Sequence, residues 1–198
     1  MCSALSRRKR IILERIQRKL ALRVRERPLP LSSVSRVAAV DVSYSAVARV
    51  GVVVCAFPKC EVLEVLTFEV PVPFSYVPTM FFLRESRPVL MAVRKLGKFD
   101  LLIVEGHGKA HPRGYGIASH IGLILGVPTL GIAKAPLRGV SPELWRRVGR
   151  AYVSVGHLID LDSAEKIVSL IPKRRGYPLP VVIADELSKG KQYQIENP

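Results

Sequence analysis

Apolar positions along the chain recur at two spacings, and the switches between them divide it into elements. From Leu5 to Val24 apolar residues fall at 5, 12, 13, 16, 20 and 24 among many arginines, which predicts an amphipathic helix with a basic face. That face either meets phosphates or is simply solvated. Pro28 and Pro30 break the helix. Arg36 to Ser43, RVAAVDVS, is apolar at nearly every position, the pattern of a buried strand. Val47 to Phe57 and Val62 to Val70 add two strands, with turns near Ser45 and at Pro58-Lys59, so an antiparallel meander is expected. Phe81 to Leu96 returns to helical spacing. Leu101 to Val104 is a short strand that stops at Glu105, and a glycine-rich loop follows. Ile117 to Leu125 then reads as a helix and Pro128 to Ala133 as a strand.

The carboxyl-terminal third is less regular. Leu137 to Arg150 is basic, contains Trp145, and is expected to form a surface helix after Ser141-Pro142. Ala151 to Val155 is a short strand, and Asp162 or Ser163 caps a helix running to about Ile171. Val181 to Leu187, VVIADEL, closes the fold and brings the adjacent acids Asp185 and Glu186. Residues 1–27 would be a basic amino-terminal helix and its linker, and residues 189–198 a loose tail, within one domain of 198 residues. The alternation of strands and helices makes the fold class α/β, and in open α/β sheets ligands sit at the carboxyl ends of strands.

Charge narrows the partner. Lys and Arg outnumber Asp and Glu by 31 to 16, a formal charge of +15, and nucleic acid is the commonest partner of such a field. The longest apolar run, Val50 to Phe57, is too short to span a bilayer. The arginine-rich start lacks the apolar block of a signal peptide, and a helix of the mature protein is preferred to a transit peptide. Cys2, Cys55 and Cys60 form no secreted disulfide framework. Cys55 and Cys60 could pair across a turn, but reduced thiols and a cytoplasmic location are expected.

Candidate chemistry collects around residues 99–134. The glycines at 106, 108, 114 and 116 let backbone approach a ligand closely, while Lys109, His111 and Arg113 favour an anionic one. A phosphate-binding Gly-x4-Gly-Lys-Ser/Thr is absent, and Gly114-Tyr115-Gly116 does not complete the dinucleotide fingerprint. His107 and His111 stand four apart, but Gly106, Gly108 and Pro112 make the segment a loop, so helical metal ligation is disfavoured. His111, before Pro112-Arg113, is the better functional candidate. Asp41 inside an apolar strand must be paired, bind a metal or reach the sheet's surface. Lys134 ends its strand where a phosphate could be met, or where it merely solubilises. Glu85 has a surface ion pair with Arg84 or Arg87 as its default. Pro71 to Pro78, PVPFSYVP, presents Phe74 and Tyr76 on a stiff loop that either caps the core or wedges between bases.

Several of these segments together resemble the endonuclease V family of deoxyinosine-directed repair nucleases. They are VAAVDVSYS around Asp41, SYVP followed by Glu85 in FFLRES, VEGHGKAHPRGYGIASHIG, LGIAK ending at Lys134, SVGHLI, and PLPVVIADELSK. The resemblance runs in order from about residue 30 to residue 189. It implies a ribonuclease-H-like fold, a mixed central sheet with flanking helices. Asp41, Glu105 and Asp185 would be metal-site carboxylates for Mg²⁺, with Mn²⁺ able to substitute, and Glu85 a further catalytic acid. Lys134 would stabilise the phosphate, and His111 would contact it or orient a water. Tyr76, Val77 and Pro78 would form a strand-separating wedge, Thr79 would follow it, and Gly106 would lie near the flipped base. The implied reaction cuts the second phosphodiester bond 3′ to deoxyinosine in damaged DNA, leaving a 3′-hydroxyl and a 5′-phosphate. The enzyme is expected to act as a monomer, and inosine-containing RNA is the alternative substrate. Glu105 stands where the family usually has Asp, and Thr79 where it usually has Gly. A non-catalytic nucleic-acid binder on the same scaffold is the rival reading.

Overall fold

Val37 to Val40 and Leu101 to Val104 are buried on both sides, which is why neither run alternates with polar residues. The structure is a computed structural model that describes residues 6–72, 74–75 and 77–193. In chain order its elements are α1 (Arg7–Ala21), β1 (Arg36–Tyr44), β2 (Val47–Ala56), β3 (Glu61–Pro71), α2 (Phe81–Val93), β4 (Leu101–Glu105), α3 (Ile117–Leu125) and β5 (Thr129–Ala133). There follow β6 (Trp145–Val148), β7 (Ala151–His157), α4 (Leu161–Leu170), β8 (Lys173–Arg174), β9 (Tyr177–Pro178) and α5 (Leu179–Ser188).

Seven strands form one sheet in the order β3-β2-β1-β4-β5-β7-β6. β1, β4 and β5 run parallel in the centre, β2 and β3 extend the sheet as an antiparallel meander, and β7 and β6 close the other edge antiparallel. Strand geometry sends alternate residues to opposite faces. Val37, Ala39, Leu101, Ile103, Leu130 and Ile132 pack with residues of α4 and α5. Ala38, Val40, Leu102 and Val104 pack with residues of α2 and α3 on the other face. The sheet is therefore the middle of three layers, and the mixed α/β architecture with flanking helices is as expected.

Two elements depart from expectation. Residues 137–150 hold no α-helix: a single 3-10 turn at Pro142–Leu144 leads into β6, which pairs with β7 from Trp145↔Ser154 to Val148↔Ala151. Its four residues are too few to show a period, and pairing with β7 decides their conformation. The cap of α4 is Asp160, whose Oδ1 accepts the Ser163 N–H at 2.8 Å. Ser163 Oγ is instead turned to the Leu29 N–H at 3.0 Å and ties down the linker after α1. Cys55 and Cys60 are buried free thiols with their sulfurs 2.9 Å apart. No helix among the described residues is long and apolar enough to cross a membrane.

Candidate active site

Register brings the acids together. β1 and β4 run parallel with Val40 beside Val104, so the next residues, Asp41 and Glu105, lie side by side at the carboxyl ends of the two strands. Both continue the odd-numbered positions that face α5, and Lys134, which follows β5 two residues after Ile132, the partner of Glu105, stands beside them. Asp41 is also the cross-strand partner of Gly51 on β2. A β-carbon at Gly51 would lie 2.3 Å from the Ala184 carbonyl and 2.4 Å from the Ser188 nitrogen, so only glycine lets α5 rest this close to the sheet. That contact sets Asp185 and Ser188 over Asp41. One oxygen from each of Asp41, Glu105 and Asp185 falls within 4.8 Å of the others.

Helical geometry separates the two neighbouring acids of α5. Asp185 faces this cluster, whereas Glu186 pairs with Arg174 and with Lys191, the latter at 3.2 Å. Ser188 Oγ, 2.7 Å from Asp41 Oδ2, and Lys189 Nζ, 2.6 Å from Asp185 Oδ2, complete the surroundings. Neither Ser188 nor Gly51 stood out in the sequence. Spacing of three from Asp185 on a helix was the available signal for Ser188.

Glu85 is not the exposed ion-pair partner that its default reading supplied. It is buried, and lines one cavity with Asp41, Glu105, Lys134 and Asp185, while the Arg84 guanidinium stacks 3.7 Å from the Tyr44 ring centroid. Burial, then the Asp41 and Glu105 charges, outweigh Arg84 and push the Glu85 carboxyl up to about 8. Burial and the adjoining Glu105 carboxyl likewise raise Asp41 to about 8, against a smaller opposing effect of Ser188. Lys134 Nζ lies 2.7 Å from Glu105 and 3.4 Å from Asp185. Partial burial would lower its pKa, but Glu105, Asp185 and Asp41 prevail and hold it at about 12. Three converging carboxylates are a fitting seat for a divalent cation, and an all-oxygen donor set suits a hard ion such as Mg²⁺.

The cavity measures about 540 Å³, and Pro78, Thr79, Gly106 and His111 line it together with the acids. Gly106 has φ 131°, and a β-carbon there would lie 2.6 Å from Ile117 Cγ2, so the loop leaves β4 with backbone exposed to the cavity. Tyr76 lies outside the described residues. Val77 is half-buried and Pro78 exposed. Phe74 is 51% exposed and does not cap the core. Thr79 has φ 62°, and its carbonyl accepts from His111 Nε2 at 3.0 Å, Arg113 Nη2 at 2.6 Å and Gln17 Nε2 at 3.4 Å. Arg113 also donates to Thr79 Oγ1 at 2.7 Å and to Gln17 Oε1 at 2.7 Å.

This network redistributes the basic loop residues. Arg113, expected to attract an anion, turns inward to Thr79, Gln17 and Glu14, and Lys109 pairs with Glu26. Burial, reinforced by Arg113, lowers His111 to about 4, so the ring is neutral at neutral pH. Its Nε2–H donates to Thr79 O and its Nδ1 accepts the Arg113 N–H at 3.2 Å, which leaves neither ring nitrogen free. Gln17 was missed in the sequence. It is 1% exposed on the inner face of α1 and also donates to the Tyr115 carbonyl at 3.0 Å. An uncharged polar residue one turn after Leu13, on a helix otherwise studded with arginine, was its only sign.

A mixed sheet of this order, with carboxylates gathered at the ends of its parallel strands and a helix bringing one more, defines a nuclease of the ribonuclease-H-like class. The endonuclease V family model matches residues 18–151. An endonuclease V from Thermococcus kodakarensis is 59% identical over 179 residues, covering 90% of each chain. Among solved structures, the catalytic domain of human endonuclease V superposes with a TM-score of 0.82 at 27% identity, over 93% of this chain and 96% of that one. The Ciona intestinalis endonuclease V, in complex with a 24mer DNA containing an inosine followed by a ribo-adenosine, gives 0.83 at 22% identity, over 92% and 97%, a likeness of fold. The chain belongs to the endonuclease V family, and is a nuclease that hydrolyses phosphodiester bonds.

Proposed function

We propose that this protein is a Mg²⁺-dependent endonuclease that recognises deoxyinosine in DNA and hydrolyses the second phosphodiester bond 3′ to it, leaving a 3′-hydroxyl and a 5′-phosphate. The observation that carries the reading is the convergence of Asp41, Glu105 and Asp185 within 4.8 Å in a cavity that Pro78 and Thr79 also line. These three carboxylates would hold the ion. Once bound, it supplies Lewis-acid stabilisation of the phosphate and lowers the pKa of a coordinated water. Mn²⁺, also content with oxygen donors, would substitute.

Lys134 already offsets part of the charge on Glu105 and Asp185, and a cation there would release its ammonium toward the scissile phosphate. Glu85, whose carboxyl is raised to about 8, holds its proton beside Asp41 and can exchange it with the reacting groups. His111, with both ring nitrogens engaged, would position the wedge loop rather than touch phosphate. Tyr76, Val77 and Pro78 would part the strands, and Gly106 would offer bare backbone to the extruded base. The enzyme would act as a monomer, and a cytoplasmic site of action agrees with its free thiols.

A labelled deoxyinosine duplex incubated with the enzyme and Mg²⁺ is expected to be nicked at that position, with an undamaged duplex left intact. Equal cutting of both, or of neither, rejects the proposal. Inosine-containing RNA competed in the same tube tests the alternative substrate, and preferential loss of the RNA would transfer the assignment to it.

A further inference from the structure

The acids stand between two recesses. A second one, about 230 Å³, shares Glu105, Lys134, Asp185 and Lys189 with the cavity described above and extends away from it to Arg150, Arg175 and Tyr177. The two meet along Glu105 and Asp185, with Ala133, Lys134 and Lys189 beside them.

Arg175 is the informative residue. β8 and β9 pair through Arg174↔Tyr177, so the two turn residues of this hairpin are Arg175, φ 55°, and Gly176, φ 83°. Two successive positive φ angles are the pattern of a type I′ turn, whose first position favours Asn, Asp or Gly. An arginine there is strained in its backbone. Neither Arg175 nor Arg150 pairs with an acid among the described residues. Strain retained at a charged residue beside an active site points to a use for the charge.

The turn is also held in place. Arg150 donates its backbone N–H to the Gly176 carbonyl at 2.8 Å, Leu179 donates to Pro172 at 2.8 Å, and a β-carbon at Gly149 would lie 2.5 Å from the Gly176 carbonyl. The Arg150 guanidinium stands 5.8 Å from the Tyr177 ring centroid. Two guanidinium groups without an acid partner among the described residues, on a fixed ledge beside Lys134 and Lys189, suit a phosphodiester, which accepts hydrogen bonds in their plane.

We propose that Arg150 and Arg175 form a subsite for a backbone phosphate of the substrate strand on the 3′ side of the cut. The assignment rests on the lesion-nuclease reading above. With the base in the first recess and the cut 3′ to it, the strand crosses the acids and its 3′ continuation enters the second recess, whereas the 5′ side stays with the wedge loop.

The test uses Arg175→Gly, which removes the charge while giving the turn a residue that prefers its φ, so the variant is expected to melt no lower than the wild type. Both proteins are titrated against deoxyinosine duplexes with Mg²⁺, intact or carrying one neutral methylphosphonate at successive phosphates on either side of the cut. Arg175→Gly is expected to raise the half-saturating concentration about tenfold and to reduce the log–log salt slope by about 1. One 3′ methylphosphonate should cost the wild type a similar factor and cost the variant nothing more. Wild-type behaviour of Arg175→Gly, equal losses in both proteins at every 3′ position, or a matching position on the 5′ side would overturn the subsite. If the wild type does not nick the intact deoxyinosine duplex, the lesion-nuclease reading itself fails, and the subsite with it.

Discussion

Thr79 sets its backbone against its side chain. At φ 62° a β-branched residue is strained by about 1–2 kcal/mol, yet its carbonyl and hydroxyl are the anchor for Arg113, His111 and Gln17. Thr79→Gly relieves the strain and deletes one hydrogen bond, opposing effects of about 1 kcal/mol each, so its melting temperature should stay within a few degrees of the wild type. Arg113→Ala behaves differently. It strips donors from Thr79 Oγ1 and Gln17 Oε1 in a buried setting, at a cost of about 2–4 kcal/mol, or roughly 5–15 °C in a chain of this size. Thermal melting of the two variants side by side checks this, and an Arg113→Ala protein that melts with the wild type would show the clamp to be inert. At the acids the expectation concerns activity: if Glu105 holds the ion as proposed, Glu105→Gln weakens that ligand without changing its length, and should lower nicking about a hundredfold in Mg²⁺ while the far-ultraviolet circular dichroism stays unchanged.

Elements differ in how much of their placement the residues announce. β1, β4 and α3 were legible because burial on two faces, or on a helical stripe, imposes a pattern on every residue. β6 was not, since its four residues take their conformation from β7. Proximity of Asp41 to Glu105 follows from a parallel register that no local pattern encodes, so the bare residues left Asp41 with three possible fates and Glu85 on the surface. Only the family resemblance put them together. The approach of α5 was equally silent, because a glycine in a strand says that something comes near without saying what. Gly51→Ala puts that contact to work: its β-carbon must push α5 outward, carrying Asp185 and Ser188 from Asp41. We expect a loss of about 1–3 kcal/mol in stability and more than tenfold in nicking, measured by melting and by single-turnover cleavage of the deoxyinosine duplex. A variant that kept full activity would mean that α5 tolerates the shift and that Asp185 is not needed in this place.

At the level of the whole molecule, the site works against the fold that carries it. Asp41 and Glu85 are both raised to about 8, from ordinary values of 3.8 and 4.5, chiefly by burial. Between those limits these two carboxyls bind more protons in the folded chain than in the unfolded one, while burial of His107, His111, His120 and His157 lowers their pKa values and makes the opposite difference below about 6.5, so stability declines as pH rises from about 6.5 to about 8. The two groups together make this loss a few kcal/mol, a sizeable share of the 5–15 kcal/mol typical of a domain. In EDTA the melting temperature of the wild type should therefore fall across that window. Asp41→Asn, which has no charge to bury, should fall less, and should melt above the wild type at pH 8 but not at pH 4. Adding Mg²⁺ at pH 8 should raise the wild type, because a cation that binds only the folded acids stabilises by mass action, and should leave Asp41→Asn nearly unmoved. Calorimetry with and without the ion reads all four arms. A wild-type melting temperature that rises with pH in EDTA between about 6.5 and 8, or a Mg²⁺ response equal in both proteins, would mean that the carboxylates are relieved by something other than a shared cation.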